Sequence, residues 1–133
     1  MKEKLIALIE EMIGNDCKVE IGDTFKYWDG VITVNPEEGY MENLMWKKFL
    51  LKEYGFTLTH ANWFVMSVLH ELGHHYTIDY FSVDEWNKSQ HPCENENEHF
   101  YEPVERLATE WAIEYYKMAD MEEWNEEIMR ALA

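Results

Sequence analysis

Apolar residues recur along this chain with two different periods, and the switches between the periods mark out its elements. Between residues 2 and 13, Leu5, Ile6, Leu8, Ile9, Met12 and Ile13 fall at helical spacing, and Gly14 follows as a stop. Residues 17–21 alternate instead, with Cys17, Val19 and Ile21 on one face of a strand. Two further β-type runs, 24–28 and 31–34, flank Asp29-Gly30, a pair suited to the tight turn of a hairpin. Asn35-Pro36-Glu37-Glu38 reads as a helix start: Asn35 can cap, Pro36 suits the first helical position, and the glutamates favour the positive end of the dipole. That helix carries Leu44, Phe49, Leu51 and Tyr54 and stops at Gly55, in spite of Gly39 near its beginning.

Thr59 opens a second helix ahead of the long apolar stretch from Trp63 to Leu72. Ser82 with Glu85 makes a capping box for one short helix, and residues 91–99 read as loop. From Phe100 the helical period returns through Val104, Leu107, Trp111 and Tyr115. Asp120 with Glu123 forms another capping box, before a last stripe of Met121, Trp124, Ile128 and Leu132. The Trp and Met stripes read as core. Residues 1–133 contain no repeat, linker or low-complexity tract. The pattern predicts one α+β domain, with a small antiparallel sheet early and mostly helices after it.

Composition narrows the function. At 133 residues, 47% hydrophobic and 15% aromatic, with three Pro, the chain can bury one core and is not disordered. Its net charge of −16 repels phosphate backbones, which argues against direct nucleic-acid binding. The first residues lack the features of a signal peptide, and no run reaches the ~18 apolar residues of a membrane span. Cys17 and Cys93 lie far apart without a CxxC pair, as free thiols of a reducing compartment do. The expectation is a cytoplasmic protein away from membranes; its oligomeric state is not legible.

The candidate chemistry lies in "VLHELGHHYTIDY", residues 68–80. His70-Glu71-Leu72-Gly73-His74 matches H-E-x-x-H. On a helix, residues four apart share a face, so both imidazoles can reach one zinc ion. Glu71 lies about 100° round the helix from His70. From there it can take a proton from a water activated by the ion, as general base, without being a ligand. Val65, Val68, Leu69 and Leu72 make the helix a buried one, and buried His and Glu side chains need partners.

A third ligand must come from elsewhere. His91, Cys93, Glu94, Glu96, Glu98, His99, Glu102, Glu105 and Glu110 are the downstream candidates, most of them in the acidic stretch where charges are usually solvated. Glu105 differs. Ala108 and Ala112 follow it at i+3 and i+7, small residues that let its helix approach the His70 helix closely, with Gly73 leaving matching room. His70, His74 and Glu105 are therefore the expected metal ligands, and Glu71 the expected catalytic residue. His91 with Cys93 remains an alternative metal pair, His75 reads as surface or as support for the ligands, and His60 as structural. Tyr76, Tyr80 and Tyr101 are near enough in sequence to offer a phenol to an oxyanion.

"HELGHH" followed about thirty residues later by "ERLATEWA" resembles the ImmA/IrrE-type minimal gluzincins, whose pattern is HELGH and then E-x-x-A-N-x-F-A. The resemblance spans roughly residues 17–118, and Thr109 and Trp111 depart from the family's Asn and Phe. It implies a zincin-like core, His70, His74 and Glu105 as zinc ligands and Glu71 as the catalytic glutamate. It also implies endopeptidase action on a protein partner, often a repressor, in mobile-element or stress regulation.

The function expected is thus a zinc-dependent metallopeptidase that hydrolyses a peptide bond in a protein partner, with an exposed strand at 31–34 holding the substrate by edge pairing. The competing expectation is a non-enzymatic regulatory binding protein of a mobile element or stress pathway that keeps zinc as a structural element. A purely structural site has no need of Glu71. A metal-free helical interaction protein is the third.

Overall fold

In the computed structural model, residues 2–89 and 96–133 are described, with the backbone alone for 96–98. Helix α1, Lys2–Met12, buries Leu5, Ile9 and Met12 and ends at Gly14, whose φ of 69° only glycine adopts freely. Three strands follow: β1 (Lys18–Ile21), β2 (Lys26–Trp28) and β3 (Val31–Val34). Asp29 and Gly30 both have positive φ, 46° and 80°, so the turn is of the kind that joins twisted antiparallel strands.

The sheet corrects two expectations. Its order is β1-β3-β2, with β2 antiparallel to β3 but β1 parallel to it, so the sheet is mixed rather than antiparallel. The hairpin occupies one side of β3 and β1 takes the other, in register Val19 with Ile32. Gly22 seals the far end of the β1–β3 pair, its N–H donating to the Val34 carbonyl at 2.9 Å. An added Cβ there would stand 2.5 Å from the Thr33 methyl. The second correction concerns residues 31–34. They form the central strand, with both edges paired and Ile32 and Val34 fully buried, and cannot hold a further segment. The unbroken run Val-Ile-Thr-Val suits such a doubly covered position better than an exposed edge. The sheet edges are β1 and β2.

The Asn35 start signal makes a turn, not a helix. Its Oδ1 accepts from the Glu37 N–H at 3.0 Å, but Gly39 is extended and breaks the run. Helical structure begins with a 3-10 turn, Tyr40–Asn43, which leads into α2, Leu44–Tyr54. α2 turns Trp46, Phe49 and Leu50 inward, leaves Leu51 largely exposed, and ends at Gly55 with φ 64°.

Helix α3, Trp63–Thr77, is the spine of the fold, with twelve of its fifteen residues buried. Thr59 and Asn62 clasp one another ahead of it: the Asn62 N–H donates to Thr59 Oγ1 and the Thr59 N–H to Asn62 Oδ1. A 3-10 turn at Ile78–Tyr80 leads to α4, Val83–Ser89, opened by the Ser82–Glu85 capping box. Residues 96–101, expected partly as loop, form the short helix α5, Glu96–Tyr101. α6, Pro103–Met118, and α7, Glu122–Leu132, complete the chain. At the α7 start the Glu122 N–H donates to Asp120 Oδ1. Met12, Met66 and Met121 are core, whereas Met41 and Met118 are exposed. Among the described residues no helix is long and apolar enough to cross a membrane. Cys17 is a free, buried thiol, and that burial pushes its pKa up to about 11.

α3 and α6 cross closely at Gly73 and Ala108. A Cβ on Gly73 would stand 2.5 Å from the Ala108 carbonyl oxygen, a backbone atom that cannot swing aside. Gly73→Ala gains up to ~1 kcal/mol of helix propensity yet forces the two helices apart. We expect a net loss of roughly 1–3 kcal/mol, measured by chemical denaturation. A variant as stable as the parent would show that the crossing is loose.

Candidate metal centre

Two helices supply the ligand set. α3 places His70 and His74 one turn apart with ring centroids 4.8 Å from each other, and α6 brings Glu105 between them. His70 Nε2 lies 3.0 Å and His74 Nε2 3.2 Å from the Glu105 carboxylate. The ligand atoms of the three side chains all fall within 4.8 Å of one another, and the group can hold a metal ion. Neighbouring ligands of a tetrahedral ion bound at about 2.0–2.1 Å stand about 3.3 Å apart; the two His–Glu distances match this, and the widest spacing in the group, up to 4.8 Å, has to close for one ion to be shared.

Further contacts hold the ligands in place. His70 Nδ1 is 3.0 Å from the buried Thr109 hydroxyl, which fixes its ring and leaves Nε2 for the ion. Thr109 thus stands where the resembled pattern has Asn, and it supports a ligand. His74 is walled by the Trp86 ring, centroids 5.1 Å apart, and its buried Nδ1 has no hydrogen-bond partner among the described residues. Burial alone would raise the Glu105 pKa. Hydrogen bonds from His70, His74 and His99 outweigh it and hold the carboxyl well below its usual range.

Glu71 is on the same helix face as the cleft but makes a different kind of site. It is 8% exposed and has no hydrogen-bond partner among the described residues. Burial pushes its pKa up to about 7, opposed by the charge of His70 and reinforced by that of Glu105. A carboxylate with that affinity for protons can both take and return one near neutrality.

These groups open into a cavity of ≈ 330 Å³. Its two flanks are set by aromatic contacts. On the His70 side, Trp46 of α2 lies edge-on to His70 at 5.6 Å. On the His74 side, Trp86 of α4 touches Tyr27 of β2 at 6.1 Å. The Tyr27 hydroxyl accepts from the Gly30 N–H and meets His75 Nδ1 at 2.8 Å, tying the hairpin to α3. His75 is half-buried and joins Tyr27 rather than a residue of the His-His-Glu group, and His60 packs against Tyr40.

His99 of α5 also lines this cavity, its Nε2 3.3 Å from Glu105 Oε1. Its sequence position offered it only as one ligand candidate among many. The structure places it beside the ligand group rather than within it. Tyr76, Tyr80 and Tyr101 do not line the cavity. Two residues past His74, Tyr76 is turned about 200° round the helix; it stacks on Trp111 and donates to Asp16. Tyr101 donates to Glu53, and Tyr80 is 77% exposed. Glu110 accepts from the Tyr54 hydroxyl, away from the site, and Glu102 does not line the cavity. His91, Cys93 and Glu94 lie outside the described residues, as do the side chains of Glu96 and Glu98. Sequence reasoning missed Trp46, Trp86, Tyr27 and Thr109 as parts of the site. Trp46, Trp86 and Tyr27 come from elements away from the motif, so local spacing carried no signal for them; Thr109, one turn after Glu105 on α6, shares that residue's face and its i+4 offset was the available signal.

Two measurements follow. Titration of the chelator-stripped protein with zinc should give one tight site per chain; Glu105→Ala should lose most of that affinity, Thr109→Val about 10–100-fold, and His91→Ala or Cys93→Ala almost none. Equal affinity in the Glu105 variant would move the ligand elsewhere. In metal-free protein Glu71 has a folded pKa above its unfolded one, so its contribution disfavours folding as pH rises from about 4.5 to about 7. Metal-free Glu71→Gln should therefore be more stable than the parent at pH 8, by roughly 1–3 kcal/mol, with the gap closing toward pH 4.5. A gap independent of pH would mean that Glu71 is not held in that environment.

Set against known protein families, curated proteins and solved structures, the chain matches none of them.

Proposed function

We propose that the protein is a zinc-dependent metalloendopeptidase of the ImmA/IrrE type that cleaves a protein partner, a repressor-type regulator being the partner class the resemblance implies. One observation carries the reading: a buried carboxylate, Glu71, without a hydrogen-bond partner among the described residues, lies beside a His-His-Glu group in an open cleft. A structural metal site leaves no such base facing a cavity.

Zinc held by His70, His74 and Glu105 supplies Lewis acidity toward water and the scissile carbonyl. The protein's own groups do the rest. Glu71 takes a proton as the water oxygen bonds to the carbonyl carbon, and returns it to the amide nitrogen as the C–N bond breaks. His99 lines the cleft with its Nε2 beside Glu105, and in this reading it shifts from that carboxylate to donate to the developing oxyanion. The sheet edge that borders the cleft is β2, and Lys26 and Tyr27 of that strand line it. An extended substrate segment adds alongside β2, in place of the buried β3. Thr109 holds the His70 ring through Nδ1, which would leave Nε2 to bind an ion. The free Cys17 thiol is in keeping with work in the cytoplasm, and the net charge of −16 with partners other than nucleic acid.

Zinc-loaded protein incubated with a proteome-derived peptide library should generate new termini, read by mass spectrometry. Glu71→Gln keeps the side chain's size and should keep its zinc, yet slow cleavage by at least about 100-fold. Cleavage at the parent rate by that variant rules out Glu71 as base. No cleavage by the parent, with zinc bound, favours the non-enzymatic zinc protein.

A further inference from the structure

One oxygen, Glu105 Oε1, has three imidazole nitrogens around it. His70 Nε2 stands at 3.0 Å, His74 Nε2 at 3.2 Å and His99 Nε2 at 3.3 Å. A carboxylate oxygen offers about two lone-pair directions, so a third N–H is one more than hydrogen bonding on that atom calls for. The His99 distance is also long for such a bond, whose usual range is about 2.7–3.2 Å. It equals the spacing of about 3.3 Å between neighbouring ligands of one tetrahedral ion. His99 thus stands at ligand spacing from Glu105, yet outside the group whose ligand atoms lie within 4.8 Å of one another.

A histidine beside a glutamate is most often a simple ion pair. Here two other imidazoles already meet the charge of that glutamate, and the position of His99 is built by packing. Phe100 and Tyr101, the next two residues of α5, lie on Phe49 of α2 with ring centroids 5.3 and 5.0 Å from it. Tyr101 donates to Glu53 of α2, and the Arg106 guanidinium of α6 lies over its ring at 5.7 Å. The Glu102 N–H donates to the His99 carbonyl at 3.1 Å. These contacts join α5 to α2 and to the helix that carries Glu105, and they hold the backbone of residue 99 at the cavity. The His99 side chain is 37% exposed and borders the cavity, so it can turn toward an ion without displacing a core residue.

We propose that His99 is a fourth, displaceable ligand of the metal centre. In the substrate-free protein its Nε2 takes the coordination position that a catalytic site otherwise leaves to water, and it yields that position to an incoming substrate or external ligand. It ligates as the neutral imidazole, with its proton on Nδ1. Ligation by His99 rests on the metal reading alone; its displacement rests on the peptidase reading and adds regulation to it. The centre is closed and latent until a bound segment drives His99 off the ion. Four protein ligands make a structural centre and three an open one, so an exchangeable fourth ligand separates the resting form from the working form. External ligands then bind more weakly, in proportion to the small fraction of molecules in which the position is free.

The probes are cobalt(II) in place of zinc and azide as the external ligand, on the full-length protein. X-ray absorption at the cobalt edge should count three imidazoles in the parent and two in His99→Ala and His99→Gln. The glutamine keeps a hydrogen-bond donor for Glu105, and a residue that only supports Glu105 would leave the count unchanged on substitution. Azide, followed by the visible cobalt spectrum, should bind the parent at least about tenfold more weakly than His99→Gln. Azide-saturated parent should lose one imidazole. Two imidazoles in the untreated parent, equal azide affinity in parent and variant, or three imidazoles that azide leaves in place overturns the proposal. Cleavage of the peptide library by a parent with two imidazoles keeps the peptidase reading and sinks this one. Three imidazoles, one displaced by azide, in a parent that cleaves nothing does the reverse.

Discussion

The close crossing of α3 and α6 at Gly73 and Ala108 is the contact on which the site depends. A carboxylate can reach two imidazoles on a neighbouring helix only if the backbones approach more closely than ordinary side chains allow. Ala108 and Ala112 on one helix and Gly73 on the other remove that bulk. The approach brings Glu105 to 3.0 Å from one imidazole and 3.2 Å from the other. The same crossing carries Thr109 to His70 Nδ1, so one piece of packing sets both a ligand and the group that holds another ligand. Phe64, Leu69 and Leu72 of α3 are almost wholly buried, each worth about 1.5–3 kcal/mol of apolar burial, and they anchor the helix against the strain of a polar face.

That polar face is costly without an ion. Three histidines converge on one carboxylate, and a second carboxylate, Glu71, stands buried without a hydrogen-bond partner among the described residues. Glu105 resolves its burial by hydrogen bonding and remains ionised; Glu71 has no such support and holds its proton to near neutrality. Two glutamates on adjoining faces are thereby driven in opposite directions, one toward a permanent anion and one toward a reversible proton carrier. A divalent ion among His70, His74 and Glu105 would relieve the same crowding, which ties metal binding to stability as well as to chemistry.

Around this centre the fold sets two dissimilar walls. α4 and β2 close the His74 side through Trp86 and Tyr27, and α2 with its leading 3-10 turn closes the His70 side through Trp46. The Tyr27 hydroxyl couples the hairpin turn to His75, so the sheet edge and α3 keep a constant relation.

How much of this was legible in the sequence follows from how local each feature is. The helical period of α3 and the i, i+4 spacing of His70 and His74 are properties of one element, and small residues at fixed offsets from Glu105 already pointed to a close helix partner. The Asp29-Gly30 turn and the stops at Gly14 and Gly55 need only local backbone preferences, and they stand as expected. The failures share a cause as well. Whether β1 lies beside β3 or beside β2, and so whether 31–34 is an edge or the centre, is decided by long-range pairing that alternation along one strand does not encode. The start at Asn35 obeys capping chemistry, but the following backbone, extended at Gly39, does not continue it as a helix. The cleft's walls, the place of His99 beside Glu105 and the exclusion of all three tyrosines depend on which faces of separate helices meet. The sequence by itself therefore pointed to the His70–His74–Glu105 group, which could hold a metal ion, and to the helix that carries its histidines, because those follow from period and spacing. Only the tertiary structure decided what surrounds them, because that is fixed by packing between elements far apart in the chain.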